Sequence, residues 1–173
     1  PSRLPRPSSR SLCVPARVAR SSSIRPVFAT RRGATADRRA EIDAINEFVY
    51  PRINNGVYRC GFATTQSAYD EAVDQLFDTM DWLDQRLATR RYLTGDRLTE
   101  ADWRLFPTLV RFDPVYVGHF KCDRRRLMDY PNLWAYTRDL YQHPGVAETV
   151  NFEHIKTHYY FSHTTINPTQ VVP

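Results

Sequence analysis

The chain has 173 residues, enough for one domain with its own hydrophobic core and too few for two full domains with a long tail. The formal net charge is +5, but residues 1–39 hold ten Arg and one acid, which leaves −4 for the rest. This distribution argues against a basic nucleic-acid-binding fold, and no apolar run approaches the roughly 18 to 20 residues that a membrane span needs.

Residues 1–39 are rich in Arg, Ser and Pro and show neither helical nor strand periodicity. We expect a disordered basic arm there, because the composition offers too little apolar surface for a core. Such a composition is also typical of an organelle transit peptide, and a misannotated segment is a third interpretation. The predicted location is cytoplasmic, or mitochondrial or plastid if the arm is a transit peptide.

Residues 40–173 are predicted to form one helical domain. Helical spacing of apolar residues begins at Ala40, and the first helix is predicted to end at Pro51, before a turn at 54–56. A long amphipathic helix is predicted from Thr65 to Arg90, since its apolar residues fall on one stripe and its aspartates lie largely off it.

The next predicted helix begins with the pattern Thr-Glu-Ala-Asp. Thr99 supplies a hydroxyl at the N-cap and Asp102 a carboxylate at N3, as in a capping box with Asp in place of Glu. Pro131 and Pro144 are predicted to open two further helices, and residues 152–161 make a last amphipathic one. No stretch alternates with period two for long enough to demand a sheet, so the predicted fold class is all-α.

The candidate nucleophiles are three cysteines, an odd number without a Cys-x-x-Cys pair: Cys13, Cys60 and Cys122. This usage is typical of a reducing compartment, and we interpret all three as ordinary thiols, although Cys60 follows Arg59 in what could be an electropositive loop. His154 and His158 would share a helix face, but no further ligand is evident near them. We therefore expect no metal site.

Several aromatic residues are predicted to lie near turns or helix ends rather than in the long apolar stripes: Tyr58, Tyr116, Tyr159, Tyr160 and Phe161. Phenol hydroxyls beside ring faces suit an aromatic ligand that carries oxygen atoms. Composition alone leaves ordinary core packing open as the alternative.

A set of longer motifs resembles the C-terminal domain of glutathionyl-hydroquinone reductases, the Xi-class, omega-like glutathione transferases. The resemblance runs from about residue 41 to the end and is carried chiefly by Asn54-Asn55-Gly56-Val57-Tyr58, Arg111-Phe112-Asp113-Pro114-Val115-Tyr116, His119-Phe120-Lys121-Cys122-Asp123 and His158-Tyr159-Tyr160. It implies a glutathione transferase C-terminal helical bundle that follows a thioredoxin-like domain. In the family, that first domain binds the co-substrate glutathione and carries the catalytic cysteine in a Cys-Pro motif.

The resemblance also implies a reaction in which this cysteine attacks the sulfur of a glutathionyl-hydroquinone and releases the hydroquinone. The chain contains no Cys-Pro dipeptide. We therefore expect that the chain contains no catalytic residue and that the thioredoxin-like domain is missing from it. We also expect that the chain alone does not catalyse the reaction. Whether it should be called an enzyme stays uncertain at this point.

By motif, the residues that hold the quinol oxygens are expected to be Tyr58 and Tyr159, with Tyr160, His158 and Tyr116 as weaker candidates. The implied partners are a glutathionyl-hydroquinone or similar small molecule and a second copy of the chain, bound through the helical domain. Neither nucleic acid nor a membrane is expected. The alternative is a non-catalytic helical interaction module derived from a glutathione transferase.

Overall fold

The computed structural model describes residues 36–173, with side chains from residue 38 onward, so most of the expected arm lies outside the described residues. Seven α-helices follow one another: α1 Ala36–Val49, α2 Gly56–Gly61, α3 Gln66–Leu87, α4 Glu100–Arg111, α5 Val117–His119, α6 Pro131–Tyr141 and α7 Phe152–Ser162. Over this range there is no strand, and the predicted all-α fold class is confirmed. Helix α1 begins four residues before the predicted domain boundary at residue 40.

The first predicted helix does not end at Pro51. A π-helical segment, Tyr50–Asn54, continues from α1, and α2 begins at Gly56, so the predicted turn at 54–56 is reduced to the single turn residue Asn55. Pro51 lies in the first turn of the π-helical segment, where a missing backbone donor is tolerated. As a consequence Tyr58 lies on a helix and not on a turn.

Helix α3 is the long amphipathic helix that the sequence predicts. The Thr65 hydroxyl accepts the backbone N–H of Ala68 at 3.3 Å and so caps its first turn. Its apolar stripe is buried and packs against α2 and α6: Ala72, Val73, Leu76, Phe77, Met80, Leu83 and Leu87. The Asp84 carboxylate accepts the backbone N–H groups of Asn132 at 2.9 Å and Leu133 at 2.8 Å, which ties α3 to the start of α6.

Asp102 lies at the centre of a buried hydrogen-bond network. Its carboxylate accepts the backbone N–H of Thr99 at 2.7 Å, which confirms that half of the predicted capping box, and the Thr99 hydroxyl at 2.9 Å. It also accepts the Leu93 backbone N–H and the Tyr136 hydroxyl, each at 2.9 Å. One fully buried carboxylate thereby joins the segment before α4, α4 itself and α6.

The last helix of the chain packs against the segment that follows α4. Pro144 is followed only by a short 3-10 turn, Ala147–Thr149, whereas the predicted last helix is present as α7. Helix α7 packs against a second π-helical segment, Phe112–Tyr116, which follows α4. That contact brings Tyr159 close to Tyr116. None of the described helices is long and apolar enough to cross a membrane.

Candidate functional site

A pocket of about 560 Å³ lies between the first π-helical segment, α2, α4 and α7. Four of the five predicted substrate-binding residues line it: Tyr58, Tyr116, His158 and Tyr159. The other lining residues are Tyr50, Asn54, Asn55, Pro107, Thr108, Arg111, His154 and Ile155. The volume is within the usual range for a small-molecule site, which makes this pocket the candidate functional site.

Three tyrosines in the pocket form a continuous chain of hydroxyl groups. The Tyr58 and Tyr159 hydroxyl oxygens are 2.6 Å apart, and those of Tyr159 and Tyr116 are 2.9 Å apart. Tyr58 comes from α2, Tyr159 from α7 and Tyr116 from the second π-helical segment, so the fold assembles the chain from three distant parts of the sequence. We call these residues the phenol chain.

Burial fixes the direction in which the phenol chain donates. Tyr116 is 2% exposed, and Tyr159 is the partner of its hydroxyl among the described residues. Because a buried donor needs an acceptor, we infer that Tyr116 donates to Tyr159 and that Tyr159, itself only 6% exposed, donates to Tyr58. Tyr58 is 38% exposed, so its own O–H is left to donate into the pocket.

The same burial keeps the Tyr116 and Tyr159 hydroxyls protonated. Desolvation raises the pKa of Tyr159 to about 12, with the Arg111 charge acting in the opposite direction. Desolvation also raises the pKa of Tyr116 far above its usual value, and its hydrogen bond to Tyr159 adds to the shift. Both groups are therefore neutral hydrogen-bond donors near neutral pH.

Phe120 supports the phenol chain from behind. Its ring centroid lies 5.2 Å from that of Tyr58, 5.4 Å from that of Tyr116 and 5.8 Å from that of Tyr159. Helix α2 can lie this close to the Phe120 ring because it has Gly61 at the contact, where a Cβ would lie 2.2 Å from a ring carbon. The wall of the pocket thus depends on one glycine.

Tyr160, the fifth predicted residue, does not line the pocket. It packs instead on His119, with ring centroids 4.6 Å apart. His119 Nε2 and His163 Nδ1 lie 3.0 Å apart, and burial lowers the pKa of both imidazoles, with neighbouring imidazoles adding to the shifts. No local pattern predicts this pair, because its members are 44 positions apart in the sequence. The described residues offer no cluster that could hold a metal ion.

The two described cysteines lie away from the pocket. Cys60 is buried on α2 rather than in a loop, and its thiol interacts with that of the buried Cys122, whose Sγ donates to the Phe120 carbonyl at 3.8 Å. The Cys122 thiol and, to a smaller extent, the charges of Arg59 and Arg124 lower the pKa of Cys60, whereas the Cys60 thiol and burial raise the pKa of Cys122. Neither thiol faces the pocket, and Cys13 lies outside the described residues.

Comparison with known proteins agrees with this architecture. The sequence profile of the family described as "Glutathione S-transferase, C-terminal domain" matches residues 66–139. Residues 66–139 therefore belong to this domain family. It is 60% identical over 132 residues to the glutathionyl-hydroquinone reductase YqjG of Escherichia coli, a match that covers 76% of the chain and 40% of the relative. It is 61% identical over 138 residues to the glutathionyl-hydroquinone reductase PcpF of Sphingobium chlorophenolicum, covering 80% of the chain and 44% of the relative.

Solved structures of glutathione transferases have the same helical fold. The glutathione-bound structure of Escherichia coli YqjG matches with a TM-score of 0.79 at 57% identity, over 80% of this chain and 45% of that one. The glutathione transferase Xi 1 of Trametes versicolor matches with a TM-score of 0.78 at 57% identity, over 80% and 48%. The resemblance to the Xi class is therefore confirmed. The chain spans less than half the length of these relatives.

Proposed function

We propose that this chain is the helical half of a glutathionyl-hydroquinone reductase and that its pocket binds the hydroquinone part of the substrate. The observation that carries the proposal is the phenol chain, in which two buried hydroxyls orient the half-exposed Tyr58 O–H into the pocket. A hydroquinone offers two oxygens as acceptors and an apolar ring for the aromatic walls.

The phenol chain suits the charge that develops in this reaction. The ring carbon that carries sulfur must first take up a proton, which converts the hydroquinone into its keto tautomer. When a thiolate then attacks the glutathionyl sulfur, a mixed disulfide with glutathione forms, the electron pair of the broken carbon–sulfur bond enters the ring, and the ketone oxygen carries the negative charge until it is protonated. A hydrogen bond from Tyr58, strengthened by the bonds behind it, stabilises the charge where it develops. We assign Tyr58 to the quinol oxygen, with Tyr159 and Tyr116 holding it in place.

We further propose that the chain alone does not catalyse the sulfur exchange. The attacking group must be a thiolate at a cationic or helix N-terminal position that substrate can reach. Cys60 and Cys122 are buried against each other outside the pocket, and the family's Cys-Pro motif does not occur in the sequence. We expect glutathione and the reactive cysteine to be contributed by a thioredoxin-like domain.

Binding of hydroquinone to the full chain tests the quinol assignment. Isothermal titration calorimetry is expected to show binding that Tyr58→Phe and Tyr159→Phe each weaken by about three- to tenfold, the range for one neutral hydrogen bond. Tyr141→Phe, on α6 and outside this pocket, is the matched control and should bind like the wild type. Unchanged affinity in both pocket variants would refute the assignment.

Turnover of the purified chain tests the proposed inactivity. With glutathione and a glutathionyl-hydroquinone, hydroquinone release followed by chromatography is expected to stay at the rate without protein. If hydroquinone is released faster than without protein, and Cys60→Ser abolishes this release, then the chain carries its own reactive thiol.

The alternative, a non-catalytic interaction module, is favoured by a second groove of about 280 Å³ on α4 and α6. The groove is mostly apolar, and two aromatic side chains at it are more than one third exposed, Trp134 and Phe152. We propose that this face contributes to self-association of the helical domain. Sedimentation velocity should give a dimer that Trp134→Glu weakens. A dimer without hydroquinone binding would favour the module over the reductase half.

A further inference from the structure

The pocket carries a fixed positive charge and no carboxylate. Its polar lining consists of four phenols, two imidazoles, two amides, one hydroxyl and one guanidinium: Tyr50, Tyr58, Tyr116, Tyr159, His154, His158, Asn54, Asn55, Thr108 and Arg111. None of its lining residues is Asp or Glu. This is notable because residues 40–173 carry a net charge of −4. A fixed cation without a carboxylate beside it in the lining favours a negatively charged ligand.

Arg111 is the source of the fixed positive charge. It is the last residue of α4, and its side chain is half-buried. Its Nη1 donates to the backbone carbonyl of Pro107 at 2.6 Å, which uses one of the five donors of a guanidinium. Within the described part of the chain no ion pair joins Arg111 to a carboxylate, whereas Arg104 on the same helix pairs with Glu100 at 2.7 Å.

The position of Arg111 relative to the phenol chain completes the argument. Its charge acts on the Tyr159 hydroxyl, so the guanidinium and the phenol chain face the same space. One ring can therefore meet Tyr58 through a hydroxyl and Arg111 through a second, anionic group. A guanidinium binds a carboxylate through two parallel hydrogen bonds, which fixes the ring orientation as well as adding affinity.

We propose that Arg111 binds a carboxylate carried by the aromatic ring, so that the preferred ligands are acidic hydroquinones rather than neutral ones. This inference rests on the proposed function, because it takes the pocket to be the quinol site. It makes Arg111 a residue that determines specificity within that site.

Three probes of similar shape separate the charge from the ring: 2,5-dihydroxybenzoate, its neutral amide 2,5-dihydroxybenzamide, and unsubstituted hydroquinone. We expect the wild-type chain to bind the acid about tenfold more tightly than the amide, the effect of one charge-assisted contact in a half-open site. Arg111→Gln should abolish this preference, with the affinities for the acid, the amide and hydroquinone all measured on the same variant. Arg104→Gln, which changes the charge of the same helix outside the pocket, should retain the preference.

The preference of the wild-type chain also has a signature that needs no variant. Raising the salt concentration should reduce the ratio of acid to amide affinity without changing hydroquinone affinity, because salt screens the charge contact alone. Arg111→Lys should keep part of the preference, since it retains the charge and loses the planar two-pronged geometry. Circular dichroism of each variant checks that the helices are intact.

The outcomes separate the inference from the proposed function. Hydroquinone binding without a preference for the acid, or an acid preference that survives in a folded Arg111→Gln chain, would overturn the inference and leave the quinol site standing. Failure of all three probes to bind the wild type would overturn both. Glutathione supplies carboxylates from another source, and displacement of the acid by glutathione in an Arg111-dependent manner would assign the guanidinium to the peptide instead, against this proposal.

Discussion

Replacing Gly61 by alanine is expected to separate α2 from the ring that supports the pocket. A Cβ at Gly61 would lie 2.2 Å from Phe120 Cδ1, 2.4 Å from its Cγ and 2.9 Å from its Cβ. Carbon atoms in ordinary contact are about 3.5 to 4.0 Å apart, so the helix and the ring must move apart by about 1 Å or more. Phe120 is fully buried, and the clash extends to its Cβ, so a change of rotamer does not relieve it.

The magnitude follows from two opposing effects. Overpacking of a well-packed core typically costs about 1 to 3 kcal/mol, and the clash with a Cβ places Gly61→Ala near the upper end. Alanine in a helix returns about 0.5 to 1 kcal/mol relative to glycine. We therefore expect the free energy of unfolding to fall by about 2 kcal/mol. Hydroquinone binding should weaken as well, because Phe120 contacts both Tyr58 and Tyr159.

Urea denaturation followed by circular dichroism measures this effect, and Gly56→Ala is the matched control. Gly56 lies in the same helix, and its nearest neighbour, Leu76 Cδ1, would be 3.7 Å from an added Cβ, an ordinary contact. That variant should be as stable as the wild type or more stable by up to about 1 kcal/mol. The clash argument is refuted if the Gly61 variant proves as stable as the Gly56 variant, with the same dependence on urea.

Three further predictions concern groups whose environment the structure defines. Asp102→Ala should lower the free energy of unfolding, measured by urea denaturation, by about 3 to 5 kcal/mol, because it removes a helix cap and leaves buried donors unpaired. Tyr136→Phe removes only one of these donors and should lower the free energy of unfolding by about 1 kcal/mol. The raised pKa of Tyr159, about 12 against 10.0 for a free tyrosine, contributes stability that is complete below pH 10 and is lost as the pH rises toward 12. The pKa of Tyr130 is also raised to about 12, so the phenolate absorbance change near pH 12 should be smaller by one tyrosine in Tyr159→Phe, and an unchanged amplitude would contradict the prediction. The pKa values of His119 and His163 are lowered in the folded state, so the unfolded state binds more protons than the folded state below pH 6.5. The urea midpoint of unfolding should therefore fall as the pH is lowered, and it should fall less in His163→Phe.

Local sequence patterns were sufficient to predict those helices whose apolar stripes and capping residues lie within the helix itself or next to it. Helix α3 followed from its apolar stripe and the Thr65 cap, and α6 followed from Pro131 at its first position. The continuation from α1 into α2 could not be predicted in this way, because a proline and an Asn-Asn-Gly sequence normally end a helix. The Asn54 amide donates to the Arg104 carbonyl at 2.9 Å and the Thr108 hydroxyl at 2.8 Å, both on α4. This tertiary contact overrides the local preference.

The residues of the candidate site could be predicted only where they belong to a recognisable sequence motif. Tyr58 and Tyr159 followed from the resemblance to a known family, whereas their direct hydrogen bond joins residues 101 positions apart and has no local signature. Cys60 and Cys122 were missed as a contacting pair for the same reason. Arg111 could have been found, because it opens the motif that ends in Tyr116 and is a cation next to a predicted site residue.

The direction of the phenol chain shows why the fold, and not the motif, decides what the pocket does. A tyrosine hydroxyl can donate or accept, so the presence of Tyr58 alone does not say which role it plays. The role is set by Tyr116, which is buried beside Tyr159 and must donate to it, so that each hydroxyl in turn points outward. Together with Arg111 this gives the pocket a directed phenol donor and a fixed cation inside a domain of net negative charge. Under the proposed function such a pocket would stabilise an anionic ring oxygen, and since neither described cysteine lines it, we expect the thiol that attacks sulfur to be supplied by another domain.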